Sequence, residues 1–186
     1  MTTKWVTGDY LRSDFVNTDM VAHLLWALTP SNRLACEVCL ATGWRIDDVL
    51  KLKSAAVSEA LEKKRPSLTI TEAKTGKKSR RYLSRELLLQ LRKEAGDIYV
   101  FEGRDDYRKH RTRQAVFLDI KKAAKRFNIK INLSTHSLRK NYAVYLRKQG
   151  KSLDEIQAIL NHDNLAVTML YALSDELTAK YKKGRN

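Results

Sequence analysis

Two arginines, two histidines and a tyrosine form a set that could act on a phosphodiester. The segment THSLRKNYAVYLRKQGKSLDEIQAILNHDNLAVTMLY carries His136 and Arg139, then His162, then Tyr171, while Arg45 lies far upstream in ATGWR. Attack on a phosphodiester loads negative charge onto the non-bridging oxygens. Preorganised cations offset that charge, and a planar guanidinium does so with two parallel hydrogen bonds. Arginines from separate segments can clamp both oxygens, and Arg45 and Arg139 fit that part. A histidine adds a hydrogen bond or moves a proton. His136 and Arg139 stand at i and i+3, which a helix places on one face. A tyrosine offers an oxygen nucleophile that persists as a phosphotyrosine ester. The leaving 5′ oxygen then needs a proton, which a lysine of lowered pKa can supply.

The charge of the chain fits such a substrate. Its 36 basic and 21 acidic residues leave a net charge of +15, which calls for a polyanionic partner, by default nucleic acid. The basic residues recur in clusters rather than scattering: Lys63-Lys64-Arg65, Lys77-Lys78 with Arg80-Arg81, Arg108 to Arg113, and Lys121-Lys122 with Lys125-Arg126. A membrane-surface protein would set a large apolar face beside such charge, and no such face is evident. No window reaches the apolar length of a bilayer span, and the N-terminus lacks a secretory signal, so a cytoplasmic location is expected. The two cysteines, Cys36 and Cys39, form a lone Cys-x-x-Cys without a second ligand pair for zinc. They lie in LACEVCLATG, which reads as a buried helix, so core packing is their expected use.

The elements that must position the set are mostly helical. At 186 residues the chain can bury one full core. Residues 1–17 read as an arm. Asn17 or Thr18 can cap a helix to about Leu28, and Pro30 opens an almost wholly apolar helix that Gly43 ends. Asp47 can cap a short helix over Val49 to Leu52. Ser67 to Thr71, the turn with Thr75-Gly76 and the returning RRYL read as a hairpin. Ser84 caps a helix over Arg85 to Ala95, and Tyr99 to Phe101 reads as a short strand. Thr112 caps a helix to Phe127, and 135–149 forms another. Ser152 with Glu155 makes a capping box for a helix ending near Asn161. Asp163 or Asn164 starts a helix toward Tyr171, and Ser174 can cap a last one in the tail DELTAKYKKGRN. The expected fold class is mainly α with a small antiparallel β-sheet.

With its motifs placed, the chain resembles the catalytic domain of the tyrosine recombinases, the phage integrase family. Members carry an arginine in A-T-G-x-R-x-x-E/D, matched by ATGWRIDD with Arg45 and Asp48. They carry a hairpin K-T-G, matched by Lys74-Thr75-Gly76; H-x-L-R, matched by His136 to Arg139; and L-G-H, matched by Leu160-Asn161-His162. Their nucleophile follows nine residues after that histidine, as Tyr171 does here. The resemblance covers about residues 18–181. It departs at Asn161 in place of glycine, at Lys140 in place of the frequent histidine after Arg139, and at Trp44 in place of a smaller residue. Asparagine is the next most tolerant residue where a positive φ is needed.

The resemblance implies roles. Tyr171 would attack the scissile phosphate, giving a 3′-phosphotyrosyl link and a free 5′-hydroxyl. Arg45, Arg139 and His162 would stabilise the developing charge, Lys74 would be the general acid, and His136 would assist at the nucleophile or bind phosphate. Lys77, Lys78, Arg80, Arg81 and Lys140 are candidate DNA contacts. No metal or other cofactor is implied. The partners are double-stranded DNA and, on it, a homotetramer, as strand exchange between two duplexes in integration or other recombination requires. The setting would be a bacterial or phage-encoded mobile element. Most members also carry an N-terminal helical domain that clamps the other face of DNA; here 1–17 would be an arm and 18–186 the catalytic domain. A chain beginning MTTKW without tag-like residues fits a naturally minimal member better than an excised domain.

Each residue alone has a plainer reading. Arg45 could pair with Asp47, His162 could sit on the dipole at the end of its preceding helix, and Tyr171 could be a packed aromatic. Lys77 and Lys78 stand close to Lys74, and Tyr181 is a second tyrosine near the end. The joint order selects the catalytic reading. A type IB topoisomerase, which shares the tyrosine chemistry, and a non-catalytic DNA-binding protein stay open as alternatives.

Overall fold

In the computed structural model, which describes residues 18–129 and 134–176, the chain is a helical assembly carrying one hairpin. Helix α1 spans Thr18–Trp26 and α2 spans Pro30–Thr42. Proline at the first turn of α2 forfeits only an amide that would have no helical partner. Gly43 closes the helix in the left-handed region at φ 69°, its N–H donating to Cys39 O. Cys36 and Cys39 are buried in the core as free thiols, as the apolar run predicts.

Helix α3, Ile46–Leu50, starts earlier than expected. Arg45, not Asp47, is its N-cap residue; Asp47 and Asp48 occupy the first turn, where acidic side chains favour the helix dipole. Helix α4, Ser54–Glu62, was not expected from the sequence. It buries only Ser54, Val57 and Ala60 and has no side-chain cap. Strands β1, Ser67–Thr71, and β2, Lys78–Tyr82, pair antiparallel from Ser67↔Tyr82 to Thr71↔Lys78, so the return strand begins two residues before RRYL. The expected strand at Tyr99 to Phe101 reduces to a single bridge, Lys53↔Tyr99.

Helices α5, Arg85–Glu94, and α6, Arg113–Arg126, are capped by the Ser84 and Thr112 hydroxyls as expected. Asp119 on α6 accepts from the Thr29 amide (3.0 Å), the Thr29 hydroxyl (2.9 Å) and Asn32 Nδ2 (2.7 Å), which ties α6 to the start of α2. Helix α7, Thr135–Lys148, begins in a capping box of Ser134 and Ser137. Helix α8, Leu153–Leu160, has the predicted Ser152–Glu155 box and ends at Asn161 with φ 47°, so Asn161 does the conformational work expected of a glycine there. Asn164 rather than Asp163 caps α9, Leu165–Ala172, accepting from Ala166 N–H at 2.7 Å. The arm at 1–17 and nearly all of the expected tail helix lie outside the described residues. No helix among the described residues is long and apolar enough to cross a membrane.

Two apolar clusters hold these elements. The larger runs from Val21 to Leu138 and draws on α1 to α7, with Trp44, Leu50, Leu68, Leu88, Phe101 and Ile120 inside it. The smaller joins Ala143 and Leu146 of α7, Ile156 and Leu160 of α8, and Tyr171 and Ala172 of α9.

Candidate active site

Arg45 leaves the chain where α2 ends and α3 begins. Trp44 before it is buried and donates its indole N–H to Ser79 Oγ of β2 at 2.8 Å, which fixes the approach of Arg45 to the hairpin. There the Arg45 guanidinium pairs with the Glu72 carboxylate. Lys74 sits in the same hairpin turn, closed by Glu72 N–H to Lys77 O (3.0 Å) and Gly76 N–H to Glu72 O (2.8 Å), with Gly76 at φ 66°. Asp48 supports the turn by accepting from Ala73 N–H at 2.9 Å; burial, the largest influence, raises its carboxyl pKa above the ordinary value.

The first turns of α7 contribute His136 and Arg139. Arg139 is buried and donates to Gly43 O and to Leu160 O, so one guanidinium joins the ends of α2 and α8. Burial first, and then the nearby Arg45 charge, bring its pKa down to about 10. A buried cation with two carbonyl partners keeps its charge at neutral pH. Arg45, Lys74, His136 and Arg139 line one cleft of about 260 Å³, together with Ile46, Asp47, Arg113 and Thr135.

His162 and Tyr171 close the group. The His162 Nδ1 lies 3.1 Å from Thr168 Oγ1, and its ring meets that of Tyr171 edge-on, with centroids 5.0 Å apart at 79°. Tyr171 is wholly buried, and its hydroxyl lies 3.4 Å from His136 Nδ1. Burial is the chief cause that pushes the His162 pKa down to about 3, followed by the charges of Arg139, Arg45, Lys74 and His136.

The expected DNA contacts divide. Lys77, Lys78 and Arg80 are exposed along the hairpin. Arg81 instead donates to Thr42 O (3.0 Å), Arg80 O (2.8 Å) and Ile159 O, a second strap between the ends of α2 and α8. Lys140 is buried, with its ammonium 5.7 Å from the centroid of the Tyr171 ring. Three residues of the site carried no signal in the sequence motifs. Glu72 precedes the K-T-G turn, Thr168 lies between His162 and Tyr171, and Arg113 had been visible only as one member of a basic cluster. Among the described residues no group of three His, Cys, Asp or Glu side chains is disposed to hold a metal ion.

Comparison with known proteins gives the family and the fold. The tyrosine recombinase of Thermosipho africanus is 29% identical over 167 residues, covering 85% of this chain and 56% of that protein. The integrase of Escherichia phage P2 is 26% identical over 170 residues, covering 91% of this chain and 46% of the integrase. The chain therefore spans about half the length of these relatives. The catalytic domain of bacteriophage HP1 integrase superposes with a TM-score of 0.64 at 22% identity, covering 87% of this chain and 88% of that domain. A lambda integrase fragment, residues 75–356, bound as a dimer to a COC′ core site, superposes with a TM-score of 0.67 at 19% identity, covering 87% of this chain and 59% of the fragment. At these identities the superpositions carry the fold, mainly helical with a two-stranded antiparallel sheet. A model of the phage integrase family matches residues 15–177, and with that match this chain belongs to the phage integrase family, in the catalytic domain of its tyrosine recombinases.

Proposed function

We propose that this chain cleaves and rejoins DNA through a covalent bond at Tyr171, as a site-specific recombinase or integrase. The Tyr171 oxygen attacks the scissile phosphorus and forms the 3′-phosphotyrosyl bond as the P–O5′ bond breaks. The phenol proton passes to His136 Nδ1, 3.4 Å away. The leaving 5′ oxygen takes a proton from Lys74 and departs as a hydroxyl. Arg45, Arg139 and a neutral His162 hold the charge that builds on the non-bridging oxygens, the largest single contribution in chemistry of this kind. The ester keeps the bond energy, so a 5′-hydroxyl from another strand reverses the step without a cofactor. Lys77, Lys78 and Arg80 on the hairpin meet the DNA backbone, and strand exchange uses a tetramer on two duplexes.

The observation that carries this reading is the gathering of Arg45, Lys74, His136 and Arg139 on one cleft, with the Tyr171 hydroxyl beside His136. A nicked suicide duplex, which lets the cut fragment diffuse away, tests it. Wild type is expected to accumulate a covalent protein–DNA adduct, and Tyr171→Phe to form none. An adduct that persists in Tyr171→Phe would sink the reading. Relaxation of any supercoiled plasmid without a defined site would assign the same chemistry to a topoisomerase.

A further inference from the structure

Glu72 is the most completely buried charged side chain described in this molecule, and it lies beside the cleft rather than in it. It is 1% exposed. Burying a carboxylate is costly unless it is paired and hydrogen-bonded, and here both oxygens are engaged. Oε2 accepts from the Arg45 guanidinium and from the Thr75 hydroxyl at 3.3 Å. Oε1 accepts from Asn161 Nδ2 at 2.7 Å. These three donors come from separate parts of the chain. Arg45 begins α3, Thr75 is the neighbour of Lys74 in the hairpin turn, and Asn161 ends α8 immediately before His162. One carboxylate thus touches a residue of the phosphate clamp and the immediate neighbours of two other members of the set.

We propose that Glu72 is a positioning residue for the cleavage reaction. It holds the Arg45 guanidinium at one orientation toward the cleft and, through Thr75 and Asn161, draws the Lys74 turn and the His162 turn around it. The inference rests on the reading of the cleft as the cleavage site. Arg45 has five N–H donors, so committing part of the fork to Glu72 leaves others for a phosphate. A carboxylate this close to a phosphate cleft works against DNA affinity by like charge. Its benefit lies in a guanidinium that needs no reorientation when charge develops. Binding and rate should therefore part company when Glu72 is changed.

Glu72→Gln tests this. Glutamine matches the size of glutamate but is uncharged, so the Arg45 ion pair is lost, and with one acceptor oxygen it keeps Asn161 only if that amide turns over to accept instead of donate. In single-turnover cleavage of the suicide duplex at saturating DNA, the variant is expected to lose roughly 10- to 100-fold in rate. Its Kd for uncleaved duplex is expected to be no weaker than that of wild type. A merely structural role would weaken rate and binding together. Because Glu72 acts in part through Arg45, adding Glu72→Gln to Arg45→Lys should cost clearly less than Glu72→Gln costs in wild type. A third measurement needs no catalysis. The order parameter of the Arg45 Nε–H group, from 15N relaxation of the full chain without DNA, should fall in Glu72→Gln while the backbone spectrum of α2 and α8 is kept. An unchanged rate, full additivity with Arg45→Lys, or an unchanged Arg45 order parameter would each overturn the assignment. If wild type forms no adduct, the cleavage reading fails by itself, and the Arg45 measurement alone decides whether Glu72 holds that side chain.

Discussion

The two apolar clusters of this chain carry different parts of the candidate site. Arg45 and the Lys74 hairpin are built on the larger one, through Trp44, Ile46, Val49 and Leu68. His162 and Tyr171 are built on the smaller one, six buried side chains contributed by α7, α8 and α9. Helix α7 bridges them, with Leu138 in the first cluster, Ala143 in the second, and His136 and Arg139 on its opening turns. Segments with few buried apolar contacts open at a lower free energy than the whole domain. The smaller cluster buries less apolar surface, so α8 and α9 are expected to open at a lower free energy than the elements on the larger one. Under the proposed cleavage reading, the buried Tyr171 hydroxyl would reach a phosphate by movement of the segment that carries it, α9.

The largest expected effect is on the larger cluster. Trp44→Ala removes its largest buried side chain and the hydrogen bond to Ser79, and should cost about 3–5 kcal/mol of global stability in urea denaturation. Gly43→Ala strikes the junction. A β-carbon there would overlap the Tyr142 ring, and φ of 69° is unfavourable for alanine, so roughly 2–4 kcal/mol should be lost. Ile156→Ala removes a fully buried side chain from the smaller cluster and should cost about 2 kcal/mol, the low end for such truncations because that cluster is the smaller. Native-state amide exchange separates the cases. Trp44→Ala should accelerate exchange everywhere, Ile156→Ala only in α8 and α9. If Ile156→Ala speeds α2 as much as α9, the two clusters form one cooperative unit and the contrast fails.

Local signals in the sequence foretold most of the frame. Pro30 and Gly43 bounded α2, the Ser84 and Thr112 hydroxyls began α5 and α6, and the Ser152–Glu155 box began α8, because each acts through backbone groups within a few residues. Helix α4 escaped notice because nothing caps it and its buried stripe is only Ser54, Val57 and Ala60. Arg45, Lys74, His136, Arg139, His162 and Tyr171 were readable as a set through motif order. What each partner does was not. Glu72 acquires its place only from Arg45 and Asn161, which lie 27 and 89 residues away in the chain. Arg81 reads as one more basic residue of the hairpin until the ends of α2 and α8 are folded against it. Lys140 lies on an inward side of α7 because α2 and α9 pack against that helix, a tertiary fact that its neighbours in sequence do not encode.

The smallest expected effect is a titration that does not happen, and it bears on how closely the two halves are joined. His162 stands on the smaller cluster, yet after burial the causes that lower its pKa to about 3 are charges on Arg139, Arg45, Lys74 and His136, some of them anchored in the larger one. A histidine whose folded pKa lies below its ordinary value of 6.5 takes up a proton on unfolding. Its share of stability is complete above that ordinary value and is lost as pH falls through the interval toward the folded value. The 15N signals of the His162 ring should therefore stay those of a neutral imidazole from about pH 8 to about pH 5. Over the more acidic part of that range the denaturation midpoint should begin to fall, less steeply in His162→Asn. A ring that titrates near its ordinary value would mean that α8 and α9 swing the histidine away from the arginines in solution. The cleft would then assemble only when DNA is bound. A ring that stays neutral means that the smaller cluster, for all its smaller size, already holds His162 against the charges of the larger.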